Sequence, residues 1–232
     1  MENIMLTLMT YNIRHGAGMD DRWDLSRPIS VVKKVRPDVL CLQEVDRFTG
    51  RSFGADEPAM MGHILHPLCH WQFVKSFDFG GGEYGNAVLS CVEPADVRRY
   101  LFPGKNEPRT MILCDFGEYA VCTAHLSLHD EFRMKSADAF AEIASACDKP
   151  VFFTGDWNSR PDSDFIKTVS GNLVFLSNPS VNTCNAADPS VCIDYIAVDR
   201  RHASLIRLVS AEVLDEPEAS DHRPVVVKVE LQ

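Results

Sequence analysis

The feature that most constrains this chain is a repeated one. Runs of apolar residues break off abruptly into a carboxylate, an amide or an imidazole. The segments are LMTYNIRHG, CLQEVD, TAHLSLH, FFTGDWNSRPDS, CIDYIAVD and SDHRPVV. Each opens with residues that favour burial and closes with a group able to bind a metal or move a proton. Strand ends of this kind, gathered along one edge of a sandwich, form a catalytic cleft.

Between these segments the chain alternates strand and helix signals. IMLTLMTYNI (4–13) alternates in hydropathy, and DVLCLQEV (38–45) is a near-continuous apolar run that reads as a buried strand. Ser26-Arg27-Pro28 opens a short helix, with Ser26 as its cap and Ile29, Val32 and Val35 on one face. Residues 57–68 also read as helical. Five short strands follow (WQFVKSF, YGNAVLSC, DVRRYLF, RTMILCDF, YAVCTAHL), and their spacing predicts an antiparallel meander. Met134, Ala137, Phe140, Ala144 and Cys147 form one stripe of a helix over 131–147. Another short helix begins at Pro161-Asp162-Ser163, and CIDYIAV, SLIRLVSAEV and RPVVVKVEL supply the last strands. About ten strands and four helices without a linker predict a mixed α/β domain, two sheets face to face with helices outside.

Charge narrows the partners. Lys+Arg 23 against Asp+Glu 33 leaves a net charge of −10, the wrong balance for gripping a duplex by its phosphates. A bound divalent cation would still admit a phosphorylated substrate. No segment approaches the roughly 18 apolar residues of a membrane helix. MENIMLTLMT lacks the basic start and small-residue cleavage site of a signal peptide. Most of the eight cysteines sit in apolar runs and no CxxC pair occurs, so free thiols in a reducing, cytoplasmic compartment are expected. Only Cys184 and Cys192, which flank a polar loop, are placed to form a bridge. A chain trimmed of a leader would carry the same pattern.

Each polar strand end has a plain reading beside its chemical one. Asn12 suits a turn or a helix cap. Glu44, after a buried run, needs a partner, and a metal or a salt bridge both satisfy it. His125 alone suits a structural role, and His129 four residues on does not make a zinc site in a segment passing from strand to loop. Asp156 and Asn158 share one side of an extended chain, which an Asx-turn explains for one residue but not for both. Asp194 interrupts an apolar strand and so calls for a fixed partner. His222, next to Asp221, is a candidate partner, a general base that a carboxylate must orient. Ser127, Ser159 and Ser220 lack the surroundings of an activated nucleophile. Metal-assisted attack of water at phosphorus is the chemistry this set suits, because a hard cation takes carboxylate oxygens and imidazole and amide donors meet phosphoryl charge.

TYNIRHG, QEVD, YGNAVLS, TAHL, GDWN, IDYI and SDHRP occur in that order from about residue 7 to residue 230. The string resembles the endonuclease/exonuclease/phosphatase family of DNase I-like hydrolases. That resemblance implies a four-layer α/β sandwich, two packed mixed β-sheets flanked by helices, as one domain over 1–232, and a Mg²⁺- or Mn²⁺-dependent phosphoesterase. It implies Glu44 as principal metal ligand, with Asn12 and Asp221 in the metal or water shell. His222 is similar to the family's catalytic histidine and Asp194 to the acid that orients it. Asp156 matches the residue that activates or positions water, and Asn158 the one that holds a phosphate oxygen. His125 resembles the second histidine, which contacts phosphate or protonates the leaving group. Arg109 and Asn86 fit common family positions. Whether Asp156 or the Asp194–His222 pair is the base stays open at this level.

The chain is near the family's minimum length, and its basic clusters are confined to residues 47–60 and 98–109. FDFGGGEYG (77–85) reads as a flexible rim or a plain hairpin. The expected substrate is therefore a small phosphorylated molecule or lipid headgroup, cleaved by a monomer. A nuclease or DNA-repair phosphodiesterase is the alternative. A non-catalytic member would be missing motif residues, and all are present.

Overall fold

The computed structural model describes residues 3–232, so the first two residues of MENIMLTLMT lie outside the described chain. Two six-stranded sheets stack face to face. The first runs β11 (Ile206–Val213), β12 (Val225–Leu231), β1 (Ile4–Asn12), β2 (Val39–Arg47), β4 (Gly82–Ser90), β3 (His70–Phe79). The second runs β5 (Asp96–Phe102), β6 (Arg109–Asp115), β7 (Ala120–His125), β8 (Val151–Asp156), β10 (Asp194–Asp199), β9 (Leu173–Phe175). Helices α1 (Ser26–Val35) and α2 (Glu57–Ile64) cover one outer face, and α3 (Asp130–Ala146) and α4 (Asp164–Val169) cover the other. This is the four-layer sandwich of DNase I-like proteins.

The layers follow from period-two alternation along each strand. Leu6 and Leu8 of β1 and Val39 and Cys41 of β2 point into the inter-sheet core, where they meet Ile112, Val121, Phe152 and Ile196. Their neighbours Met9, Tyr11, Leu40 and Leu42 point outward onto Ile29, Val32 and Met61 of α1 and α2. On the far side, Met111, Cys122 and Phe153 pack beneath Phe140 and Ile143 of α3, with Trp157 and Phe165 completing an aromatic cluster.

Toward one end the inter-sheet layer turns polar. Gln43 Nε2 donates to Thr10 Oγ1 (3.1 Å) and Thr123 Oγ1 (3.0 Å), and Asn86 Nδ2 donates to Thr110 O (2.9 Å). Asn86 thus ties β4 to β6. The site lies beyond this polar belt.

Three expectations are corrected. The five-strand meander divides after its second strand: β3 and β4 pair in one sheet and β5–β7 in the other. The helix expected over 57–68 ends at Ile64, since a residue preceding proline is pushed out of helical conformation, here His66 before Pro67. Ser26 is not the cap of α1; Asp24 Oδ1 accepts its N–H at 3.0 Å and its hydroxyl at 2.6 Å. The eight cysteines are all free, including Cys184 and Cys192. The three-residue strand β9 has no sequence signal of its own. No helix among the described residues is long and apolar enough to cross a membrane.

Candidate active site

Register brings the strand-end residues together. β1 runs parallel to β2 and β7 parallel to β8, so their carboxyl ends open on one edge. Asp156 at the end of β8 is aligned with His125 of β7 on one side and Asp194 of β10 on the other. Asn12, at the end of β1, is aligned with Gln43 of β2.

Two backbone features aim the side chains. Gln43 and Glu44 together oppose Asn86 between the pairs Leu42–Ala87 and Val45–Gly85, a β-bulge. Glu44 takes φ 56°, a left-handed conformation costly for a residue with a side chain. That strain turns its carboxylate into the cavity. Gly155, at φ 127°, lies so close to β7 that a Cβ there would stand 2.0 Å from Ala124 O. No other residue fits.

Asn12 Nδ2 donates to Glu44 Oε1 and to Asp156 Oδ2, both at 3.1 Å, and Asn12 Oδ1 accepts the Arg14 N–H at 3.0 Å. Ser220 Oγ donates to Asn12 O at 2.7 Å and so ties the SDHRP loop to β1. His222 Nδ1 lies 2.9 Å from Asp194 Oδ2, while His222 Nε2 faces Asp156 Oδ2 at 3.7 Å. Thr183 Oγ1 donates to Asp194 Oδ2 at 2.6 Å. His125 Nε2 faces the same Asp156 oxygen at 3.5 Å, and Arg109 Nη1 lies 3.3 Å from both of its ring nitrogens.

Asp156 and Asn158 both line the cavity, though the chain between them is not extended. Asn158 turns left-handed at φ 49°, and Asp156 Oδ1 accepts its N–H at 2.9 Å, an Asx-turn that serves both residues. One amide hydrogen of Asn158 goes to Leu126 O at 3.0 Å. Asp221 faces Arg14, 3.8 Å away, and accepts from Ser220 Oγ at 3.3 Å.

Burial sets the electrostatics. It pushes the Asp156 carboxyl up to about 7; the His222 charge opposes the rise and Asp194 adds to it. Burial works against a charged His222, but Asp194 and Asp156 more than offset it and hold the imidazole well above the ordinary histidine value. His125 is held well below that value by burial, by Arg109 and by His222, so it is a neutral ring. Burial also raises Glu44 despite its Asn12 hydrogen bond.

The donor set fits a hard divalent cation. Ligand atoms of Asp156, Asp194 and His222 lie within 4.8 Å of one another. Asp194 Oδ1 is buried without a hydrogen-bond partner, and Glu44 has only Oε1 engaged among the described residues. Buried carboxylate oxygens with an imidazole beside them suit a divalent cation.

Sequence reasoning missed Thr183 and Arg51. Thr183 sits in SVNTCNAAD, a loop with no hydropathy pattern to mark it. Arg51 lay within the basic stretch 47–60, with nothing to say that it faces the site. Ser220 is a brace, its hydroxyl tying the SDHRP loop to β1.

Two stacked mixed sheets with buried acids and histidines at one edge define a DNase I-like α/β-sandwich protein. The chain belongs to the endonuclease/exonuclease/phosphatase family: the family model of that description matches residues 9–222. Among solved structures, the endonuclease/exonuclease/phosphatase from Beutenbergia cavernae DSM 12333 superposes with TM-score 0.82 at 22% identity, over 98% of this chain and 72% of that one. The mannosyl-6-phosphatase of Bacteroides thetaiotaomicron VPI-5482 gives TM-score 0.72 at 18% identity, over 97% and 99%. The human nocturnin catalytic domain, solved with bound sulfate, gives 0.71 at 17%, over 100% and 97%. No curated protein matches the chain significantly in sequence.

Proposed function

We propose that the protein is a Mg²⁺- or Mn²⁺-dependent hydrolase that cleaves a phosphoester by attack of water. The observation that carries this reading is the arrangement around Asp156, a buried carboxyl flanked by His125 and His222 and backed by Asp194. Glu44 is the principal cation ligand in this reading, with Asn12 and Asp221 in the metal or water shell. The cation supplies positive charge against the phosphoryl oxygens. Asp156 positions or activates the water, Asp194 orients His222, and Asn158 donates to a phosphate oxygen. His125, neutral and backed by Arg109, contacts the phosphate, and a ring held neutral does not act as the acid for the departing oxygen. Asp156 accepts the proton of the attacking water, since His222, held charged beside Asp194, already carries its own.

The substrate we favour is a small phosphorylated molecule, consistent with the net charge of −10 and with a structural relative that is a mannosyl-6-phosphatase. The reading includes a monomeric, cytoplasmic enzyme built as one domain over 1–232. Hydrolysis of p-nitrophenyl phosphate or its bis ester in heavy-oxygen water tests the chemistry. The label is expected in the phosphate product; label in the phenol would contradict attack at phosphorus.

A further inference from the structure

The cavity is larger than one phosphate needs. Its volume is about 370 Å³, within the usual range of small-molecule sites. Phosphate chemistry occupies the end lined by Glu44, His125, Asp156 and His222. Another wall is made by Arg51, Phe77, Phe79 and Tyr84.

Arg51 is fixed in an unusual way for an arginine at a cavity wall. Its Nε and Nη2 bind the two oxygens of Asp46 at 2.7 and 2.8 Å, a two-pronged pair. Asp46 is fully buried and also accepts from Thr49 Oγ1 (2.5 Å) and Ser52 Oγ (2.8 Å), so it does not move. The guanidinium carbon lies 4.3 Å from the Phe79 ring centre and 5.5 Å from that of Tyr84. Gly50 N–H to Gly80 O, 2.9 Å, ties the arginine's loop to the β3–β4 hairpin. The Arg51 side chain is 32% exposed, and Nη1 makes no hydrogen bond among the described residues. A counter-ion for Asp46 needs only one edge of the guanidinium. The other edge remains as a pre-aimed donor beside an aromatic surface.

Resting on the phosphoesterase reading, we infer that Arg51 is a specificity residue: the substrate carries a second oxyanion, which Arg51 binds, while its body lies along Phe77 and Phe79. The second oxyanion is a carboxylate or a second phosphate. Arg109, which lies against His125 deep in the site, serves the phosphate that is cleaved. The two arginines thus divide the substrate between them.

Titration calorimetry tests this without turnover. The probes are propylphosphonate, ω-phosphonocarboxylates of increasing length and the matching alkane bisphosphonates, added to protein in excess Mg²⁺. One length of the two-headed probes is expected to bind roughly 10–100-fold more tightly than propylphosphonate, the worth of a charge-assisted hydrogen bond. Comparing the two series tells carboxylate from phosphate. Arg51→Gln is expected to remove that gain while leaving propylphosphonate within about twofold, and Arg51→Lys to retain part of it. Equal affinity across all lengths in the wild type overturns the proposal whether or not any variant folds. So does a gain that survives Arg51→Gln, or an equal weakening of every probe. Failure to hydrolyse any nitrophenyl ester would count against the catalytic reading alone and leave this comparison standing.

Discussion

His222 Nδ1 lies 2.9 Å from Oδ2 of Asp194, and both residues are almost wholly buried. An imidazole held this way presents its other nitrogen in one direction only, toward Asp156. The contact fixes the ring's orientation and favours its charged form. Asp194→Asn is therefore expected to lower kcat by roughly 10²–10⁴ with little change in KM. Thr183→Val removes the hydrogen bond to the same carboxylate and the acceptor of the Ile193 and Asp194 N–H groups, and at about 1 kcal/mol per bond is expected to lower kcat roughly fivefold or more. Steady-state kinetics check both.

The acid limb of the activity profile follows from Asp156. Its carboxyl, pushed up to about 7 by burial, must be ionised to position water, so activity is expected to rise with pH up to about 7. A bound cation favours the ionised form of every carboxyl near it. The limb is therefore expected to move to lower pH as Mg²⁺ approaches saturation. Rate profiles at low and high Mg²⁺ check this, and a limb indifferent to Mg²⁺ would contradict it.

Away from the site, Glu57 ties stability to pH. It is fully buried, accepting from Trp23 Nε1 at 3.0 Å and Asp46 N at 2.8 Å, and burial raises its carboxyl to about 8. The unfolded chain ionises it near the ordinary value of 4.5. Stability tied to its protonated form is thus present below 4.5 and lost as pH rises toward 8. Glu57→Gln cannot ionise. Its unfolding free energy relative to wild type, read by denaturant titration, is expected to climb between pH 5 and 8, by an amount on the order of a few kcal/mol at about 1.4 kcal/mol per pKa unit.

Gly155 admits no side chain. A Cβ placed 2.0 Å from Ala124 O forces β7 and β8 apart, and φ 127° disfavours any L-residue. Gly155→Ala is expected to cost about 3 kcal/mol or more. Denaturant titration measures it.

Glu44 predicts the reverse. Its left-handed backbone at φ 56° stores strain that glycine would relieve, and burial raises its carboxyl with His222 and Arg109 only partly offsetting that cost. Glu44→Gly is expected to abolish Mg²⁺ binding and activity while raising stability by about 1 kcal/mol. Calorimetry and denaturant titration read the two effects separately.

Much of this site is written in the chain because its residues break hydropathy patterns. Asn12, Glu44, His125, Asp156 and Asp194 each end or interrupt an apolar strand, and parallel and antiparallel register carries them to one edge. Contacts that depend on backbone irregularity are not written there. The bulge at Glu44 and the left-handed turn at Asn158 have no glycine to announce them. Thr183 and Arg51 act from loops, where no period exists to be interrupted. The division of five successive strands between two sheets depends on where the chain crosses over, and a run of alternating residues is the same on either side of that crossing.

The central claim is metal-assisted phosphoester hydrolysis by this cluster. The most direct measurement is release of nitrophenolate from p-nitrophenyl phosphate and bis-(p-nitrophenyl) phosphate with Mg²⁺, with Mn²⁺ and with EDTA, for wild type and His222→Ala. The account predicts release that requires the metal and falls by roughly 10²–10⁴ in His222→Ala. Release that persists in EDTA, or that is undiminished in His222→Ala, would contradict it.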